Sequence, residues 1–321
     1  MKRLIGDIFS SWKNTCITLF KILVPVSILV RVLQVTGWLH GIGIVFEPVM
    51  QIMGLPGEMS IAWVSAIFGN IYGGLLAFYS IQDSLQLTVA QVTVTGTIIL
   101  LAHNFLLEVA VVRKAGLKTW YAIAVRFGTA MLLGALMNII YSSTGWLQEP
   151  AEFYFKLDTL ENPSWGAWAL NELKNYLVIS MVILALISLL EILKKAGLID
   201  RLNRLLEPAL KAMGMSPKIV PVTLIGLTLG LGYGGALIIS EAKQQHFSRQ
   251  DLLYSLTLMS LFHSIIEDTL LILSVGADWS GVILFRLLMA VGITWILIKL
   301  TRKWSDNRLD RYFVVRKSFG N

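Results

Sequence analysis

Inside apolar stretches of this 321-residue sequence stand His103, Glu108 and Arg126, and 160 residues later stand His263, Asp268 and Arg286, with Glu267 beside them. A charge in hydrocarbon is costly unless paired or wet, so such residues are functional candidates by default. Glu108 lies nine residues before position 117 and Arg126 nine after it; Asp268 and Arg286 repeat that spacing around 277. If helical hairpins turn there, both members of each pair lie about 13 Å from the turn, near the middle of a ~30 Å core. Two symmetric ion pairs are therefore expected, Glu108 with Arg126 and Asp268 with Arg286, serving either architecture or function. His263 and Glu267 are four apart and would share one face of a helix, where they could hold a proton or offer two ligands to a cation. A metal centre is not expected, since it needs three or four fixed ligands. No activated Ser or Cys triad is visible. The single cysteine, Cys16, permits neither an internal disulfide nor a Cys-ligated cluster. An enzyme is not expected.

The elements that position these residues follow from composition. With 55% hydrophobic and 15% charged residues and a mean hydropathy of +0.69, the chain is too apolar for ordinary soluble domains. The net charge of +7 does not point to nucleic acid, because Lys and Arg sit beside apolar runs, where they orient a membrane protein. Apolar windows of spanning length fall near 17–36, 88–112, 119–141, 175–193, 252–275 and 280–300. Two further stretches, 38–79 and 198–239, are interrupted by Gly and Pro. In Met53-Gly54-Leu55-Pro56-Gly57 and its counterpart Met213-Gly214-Met215-Ser216-Pro217, the breakers read as re-entrant hairpin tips or as interfacial loops. No cleaved signal peptide is expected, because Lys13, Lys21 and Arg31 interrupt the first apolar stretch.

The chain is internally duplicated. Glu47-Pro48 returns as Glu207-Pro208, Met53-Gly54 as Met213-Gly214, and Tyr72-Gly73-Gly74 as Tyr233-Gly234-Gly235. The reading is an N-terminal interfacial segment (1–16), a first repeat (17–141), an external linker (142–174), a second repeat (175–300) and a basic tail (301–321). Basic residues mark the N-terminus, 113–118, 194–218, 240–251 and the tail as internal. The segments 37–59 and 80–87 lack Lys and Arg, and the linker is rich in Glu, which places all three outside. That pattern closes only if each repeat crosses three times and carries one re-entrant or broken segment. The expected fold is thus an all-α polytopic membrane protein of two inverted repeats, with both termini cytoplasmic. Inverted repeats with broken helices meeting near the midplane are a transporter architecture.

Asn70, Tyr72 and Tyr233 lie in Gly-rich stretches that read either as helix packing alone or as packing that also lines a substrate site. With inversion, they converge with His103, Asn104, His263 and Glu267 on a central polar site. At Gly54-Leu55-Pro56-Gly57-Glu58, at Ala102-His103-Asn104-Phe105-Leu106-Leu107-Glu108 and at Phe262-His263-Ser264-Ile265-Ile266-Glu267-Asp268-Thr269, the chain resembles bacterial nucleoside-recognition, or Gate-domain, membrane proteins. That family is similar to spore maturation membrane proteins, to the membrane part of ferrous-iron transporter B proteins and, remotely, to concentrative nucleoside transporters. The resemblance implies a bacterial inner-membrane protein with two Gate repeats. No P-loop precedes the membrane part, which argues against energised iron uptake by this chain alone. The function expected is a secondary transporter or permease for a small polar solute, nucleoside-like on the strength of the resemblance. No cofactor is expected, with coupling to H+ or Na+ left open. The partners expected are the lipid bilayer and the solute, with no nucleic acid; a homo-oligomer is compatible with the sequence. The rival reading is a non-transporting membrane scaffold or assembly factor.

Overall fold

The computed structural model describes residues 38–82, 85–153, 164–231 and 247–315 without interruption, with 234, 238, 239 and scattered positions between 8 and 36. Every regular element among them is a helix. The first half holds α1 (Trp38–Ile52), α2 (Met59–Phe68), α3 (Ile71–Gln82), α4 (Val89–Leu101), α5 (Phe105–Ala115) and α6 (Thr119–Thr144). The second holds α7 (Trp165–Lys195), α8 (Leu198–Met213), α9 (Val220–Leu229), α10 (Arg249–Leu261) and α11 (Glu267–Ser274). A π-helical turn (Ser280–Phe285) then leads into α12 (Arg286–Thr301), and α13 (Asp306–Tyr312) follows.

Helices α2 and α3, of 10 and 12 residues, are about 15 and 18 Å long, roughly half of a ~30 Å hydrocarbon core. They fold back on each other. Gly74 of α3 lies so close to α2 that a Cβ there would come within 2.6 Å of the Ala66 methyl, which only glycine permits. The second half repeats this packing with Gly234 against Gly226. The first hairpin reverses at Gly69–Asn70, where Asn70 Oδ1 accepts from the Gly73 N–H at 2.9 Å and so caps α3. This corrects the expectation of a tip at 53–57. Gly54, in the left-handed region at φ 70°, instead terminates α1. Its carbonyl accepts from Gln91 Nε2 of α4 at 3.0 Å.

Among the described residues, three continuous helical stretches are long and apolar enough to cross a membrane: α6, α7, and the π-turn with α12. The windows 88–112 and 252–275 differ from the expected uninterrupted crossings. The first is broken after α4, and α5 continues at an angle of 41°, so that the two together are either a broken span or a re-entrant loop. The second is broken between α10 and α11. Half of the window 17–36 lies outside the described residues. Helix α7 starts at Trp165, ten residues before the expected 175, because Ser164 Oγ accepts from the Ala167 N–H at 3.3 Å and fixes its N-terminus. Its Leu170, Leu173, Leu177 and Met181 are uncovered by protein, the outward face of a membrane helix.

The halves interlock reciprocally. Tyr121 of α6 is hydrogen-bonded to Thr257 of α10 at 2.8 Å, and Gly281 of the π-turn packs on Thr93 and Thr97 of α4. Tyr141 and Ser280 join the same surfaces at 2.8 Å. At one end of the bundle the tail closes over the α5–α6 turn, with Lys118 N–H donating to Phe313 O at 2.7 Å, and Arg249 pairs with Asp310 at 3.3 Å. At the other end, Val89 N–H donates to Glu149 O at 3.0 Å, and Gly276 packs on the Glu152 carbonyl.

Candidate functional site

The site is built where α4–α5 and α10–α11 break. Asn104 and Ser264, at φ 52° and 47°, both occupy the left-handed region, which Asn tolerates and Ser visits less readily. Tertiary hydrogen bonds hold them there. The Asn104 N–H donates to Ala66 O at 2.8 Å, and the Ile265 N–H donates to Leu227 O at 3.0 Å, tying each break to the short helix of its own half. Breaking a helix also strands carbonyls, which lipid cannot satisfy. Arg126 serves them: its Nε donates to Leu101 O and its Nη2 to His103 O, both at 2.9 Å. Arg286 does the same with Leu261 O at 3.1 Å and His263 O at 3.0 Å. Each guanidinium lies 5.0 Å from an aromatic ring centre, Arg126 over Phe105 and Arg286 over Phe262. A planar fork with five donors suits this task, and it explains a buried arginine in each half.

The carboxylates sit in the first turns of α5 and α11, at the positive ends of those helices. Glu108 Oε2 lies 2.6 Å from Arg126 Nη1, a buried ion pair. Asp268 makes no such contact with Arg286, whose buried Nη1 has no hydrogen-bond partner. The symmetric expectation is corrected on that side. Aspartate is one methylene shorter than glutamate, and Asp268 Oδ2 turns to the imidazoles, 3.7 Å from His103 Nε2 and 4.0 Å from His263 Nε2.

Both imidazoles are buried and held alike. His103 Nδ1 is 2.9 Å from Ile99 O, and His263 Nδ1 is 2.9 Å from Met259 O. A carbonyl only accepts, so each Nδ1 carries its proton and each Nε2 is directed inward. There Glu108 Oε1 stands 3.3 Å from both Nε2 atoms. The His263 Nε2, fully buried, has no hydrogen-bond partner. Neutral imidazole lone pairs would then face carboxylate lone pairs, an arrangement that calls for a cation, either protons or a metal ion, among the four groups. The two halves contribute equally, and each carboxylate reaches the histidine of the other half.

The remaining candidates lie around this centre or play other parts. Tyr72 Oη donates to Glu267 Oε1 at 3.4 Å, a further link between halves. Glu267 shares no helix with His263, because the break at 262–266 intervenes and Glu267 opens α11. Asn70 caps α3, and Asn104 contributes its backbone to the break. Tyr233 lies outside the described residues. Residue chemistry alone does not single out Ser264, Phe105 or Phe262; the 160-residue offset from Asn104 is the signal that marks Ser264.

A family model described as Gate, nucleoside recognition, matches residues 16–118 and again 176–279. Each match contains the histidine and carboxylate of its half and stops short of the arginine, so the duplication extends beyond the matched segments. An uncharacterized membrane protein of Bacillus subtilis (strain 168), YvoD, is 26% identical over 316 residues, covering 97% of this chain and 99% of that protein. No solved structure matches the chain.

Proposed function

The chain is a membrane protein of the Gate, or nucleoside-recognition, family, and from that premise we propose that it is a secondary transporter or permease for a small polar solute. The observation that carries this reading is the convergence of two broken helices, one from each half, on a shared buried cluster in which Glu108 stands 3.3 Å from His263. Helix ends meeting inside a membrane are tolerated only where they are buried in protein or line a cavity, and transporters use them to hold ions and polar groups. The reciprocal contacts of Tyr121 with Thr257 and of Gly281 with Thr97 support two repeats related by a pseudo-twofold axis.

Inversion follows from the loop charges, with three crossings and one re-entrant hairpin per repeat. The basic 113–118 turn and the tail share one end of the bundle, which we assign to the cytoplasm with both termini. The acidic linker takes the opposite face of a bacterial inner membrane. Rocking of one repeat against the other would expose the cluster alternately. A nucleoside-like solute is the first class to test, with H+ or Na+ as the coupling ion. The partners this reading requires are the lipid bilayer and the solute, and it is compatible with a homo-oligomer.

Uptake by purified protein in sealed vesicles, across a panel of nucleosides and small polar metabolites, tests the reading. Transport of at least one solute that His263→Ala abolishes, in a variant that still elutes as the wild type does, supports it. Failure across the panel favours the scaffold reading, in which the arginines serve only the broken helices.

A further inference from the structure

We infer that His103, His263, Glu108 and Asp268 form a binding site for one divalent first-row transition-metal ion, with Zn2+ as the tetrahedral case, shared between the two repeats. The inference concerns binding and does not rest on the transport reading. Four observations carry it.

The first is the donor set. Two imidazole nitrogens and two carboxylate oxygens suit Zn2+ and its neighbours rather than Mg2+ or Ca2+, which prefer oxygen throughout. The second is spacing. Ligand atoms about 2.0–2.1 Å from a tetrahedral ion stand about 3.3–3.4 Å from one another. Glu108 Oε1 is 3.3 Å from each of the two Nε2 atoms, and Asp268 Oδ2 is 3.7 and 4.0 Å from them. Glu108 is therefore already at ligand spacing, and Asp268 stands roughly half an ångström out. His103, His263 and Asp268 each offer a ligand atom within 4.8 Å of the others.

The third observation is orientation. Metal-binding histidines hand their second nitrogen to a carbonyl or carboxylate, which fixes tautomer and ring angle. Ile99 O and Met259 O do this for His103 and His263, each at 2.9 Å. The fourth is the orphaned group: His263 Nε2 is buried, has no hydrogen-bond partner and points into the cluster. Arg126 occupies only Oε2 of Glu108 and leaves Oε1 for the ion. The nearby guanidinium charges weaken binding relative to an isolated set of four ligands.

The test uses the full chain, tag-free in detergent and stripped with chelator, titrated with Zn2+ by calorimetry and with Co2+ by visible absorption. The expected result is one ion per chain, with the intense visible bands of tetrahedral Co2+. His263→Gln and, separately, His103→Gln should each weaken Zn2+ binding at least tenfold while elution and helical circular dichroism stay those of the wild type. No stoichiometric Zn2+ or Co2+ binding by the wild-type chain overturns the inference. So does wild-type affinity in a folded variant lacking both histidines, which would leave the cluster to protons. Zn2+ binding without uptake of any solute would keep this inference and remove the transport reading, whereas uptake in chelator-stripped vesicles with no metal binding would do the reverse.

Discussion

Glu108 Oε1 stands 3.3 Å from His263 Nε2, a contact made across the boundary between two repeats of one sequence. It places a carboxylate of the first Gate segment against an imidazole of the second, so neither repeat completes the cluster alone.

Arg126 has two separable tasks, neutralising Glu108 and filling the carbonyls of Leu101 and His103. Glu108→Gln removes only the first and should destabilise the folded protein by about 3–5 kcal/mol by stranding a buried charge. Arg126→Lys keeps the charge but lacks the planar fork, so it should also destabilise. Unfolding followed in detergent checks both, and a Lys variant as stable as the wild type would mean that the carbonyl contacts contribute little.

Asp268→Glu should supply the methylene that the second half lacks. The longer side chain is expected to reach the unpartnered Nη1 of Arg286 and stabilise the protein by about 1–3 kcal/mol, a gain that Arg286→Gln should erase. Lower thermal stability of Asp268→Glu would show that the shorter residue is required by the imidazoles instead.

Gly281→Ala should destabilise by about 1–3 kcal/mol, because a Cβ there would overlap Thr93 and come within 2.5 Å of Met137 Cε. Gly292→Ala in α12 meets open space and should be neutral or slightly stabilising. Equal effects at the two positions would contradict the close approach of the halves.

A cysteine at Glu149 should react with an impermeant reagent from the periplasmic side only, and one at Arg302 from the cytoplasmic side only, both in a Cys16→Ala background. The reverse pattern would invert the orientation; labelling of both from one side would undo the separation of the two ends.

Much of this was legible in the sequence, and what was not has identifiable causes. Hydropathy and the 160-residue offset mark the helices, the duplication and the ionisable residues at depth. The breaks at 102–104 and 262–266 escape notice because neither Ala102-His103-Asn104 nor the run from Phe262 to Ile266 contains Gly or Pro. Their irregular backbone is set by tertiary partners, the carbonyls of Ala66 and Leu227 and the two arginines. The Gly54–Pro56 breakers drew attention to the wrong end of the hairpin, since a helix C-terminus and a hairpin tip use the same residues. The expected His263–Glu267 face assumed a continuous helix. The sequence brings His103 and His263 to one central site but not Glu108 and Asp268 beside them, because each half supplies one histidine and one carboxylate and only the packing of the halves brings the four together.

The central claim is that the two repeats close around a site open to each side of the membrane in turn. Its most direct measurement is the accessibility of a single cysteine at Asn70, half-buried at the hairpin turn, in the Cys16→Ala protein in oriented vesicles. Alternating access predicts labelling by an impermeant thiol reagent from either side, at rates that shift in opposite directions when a transported solute is added. Labelling from one side only, or from neither, would contradict it.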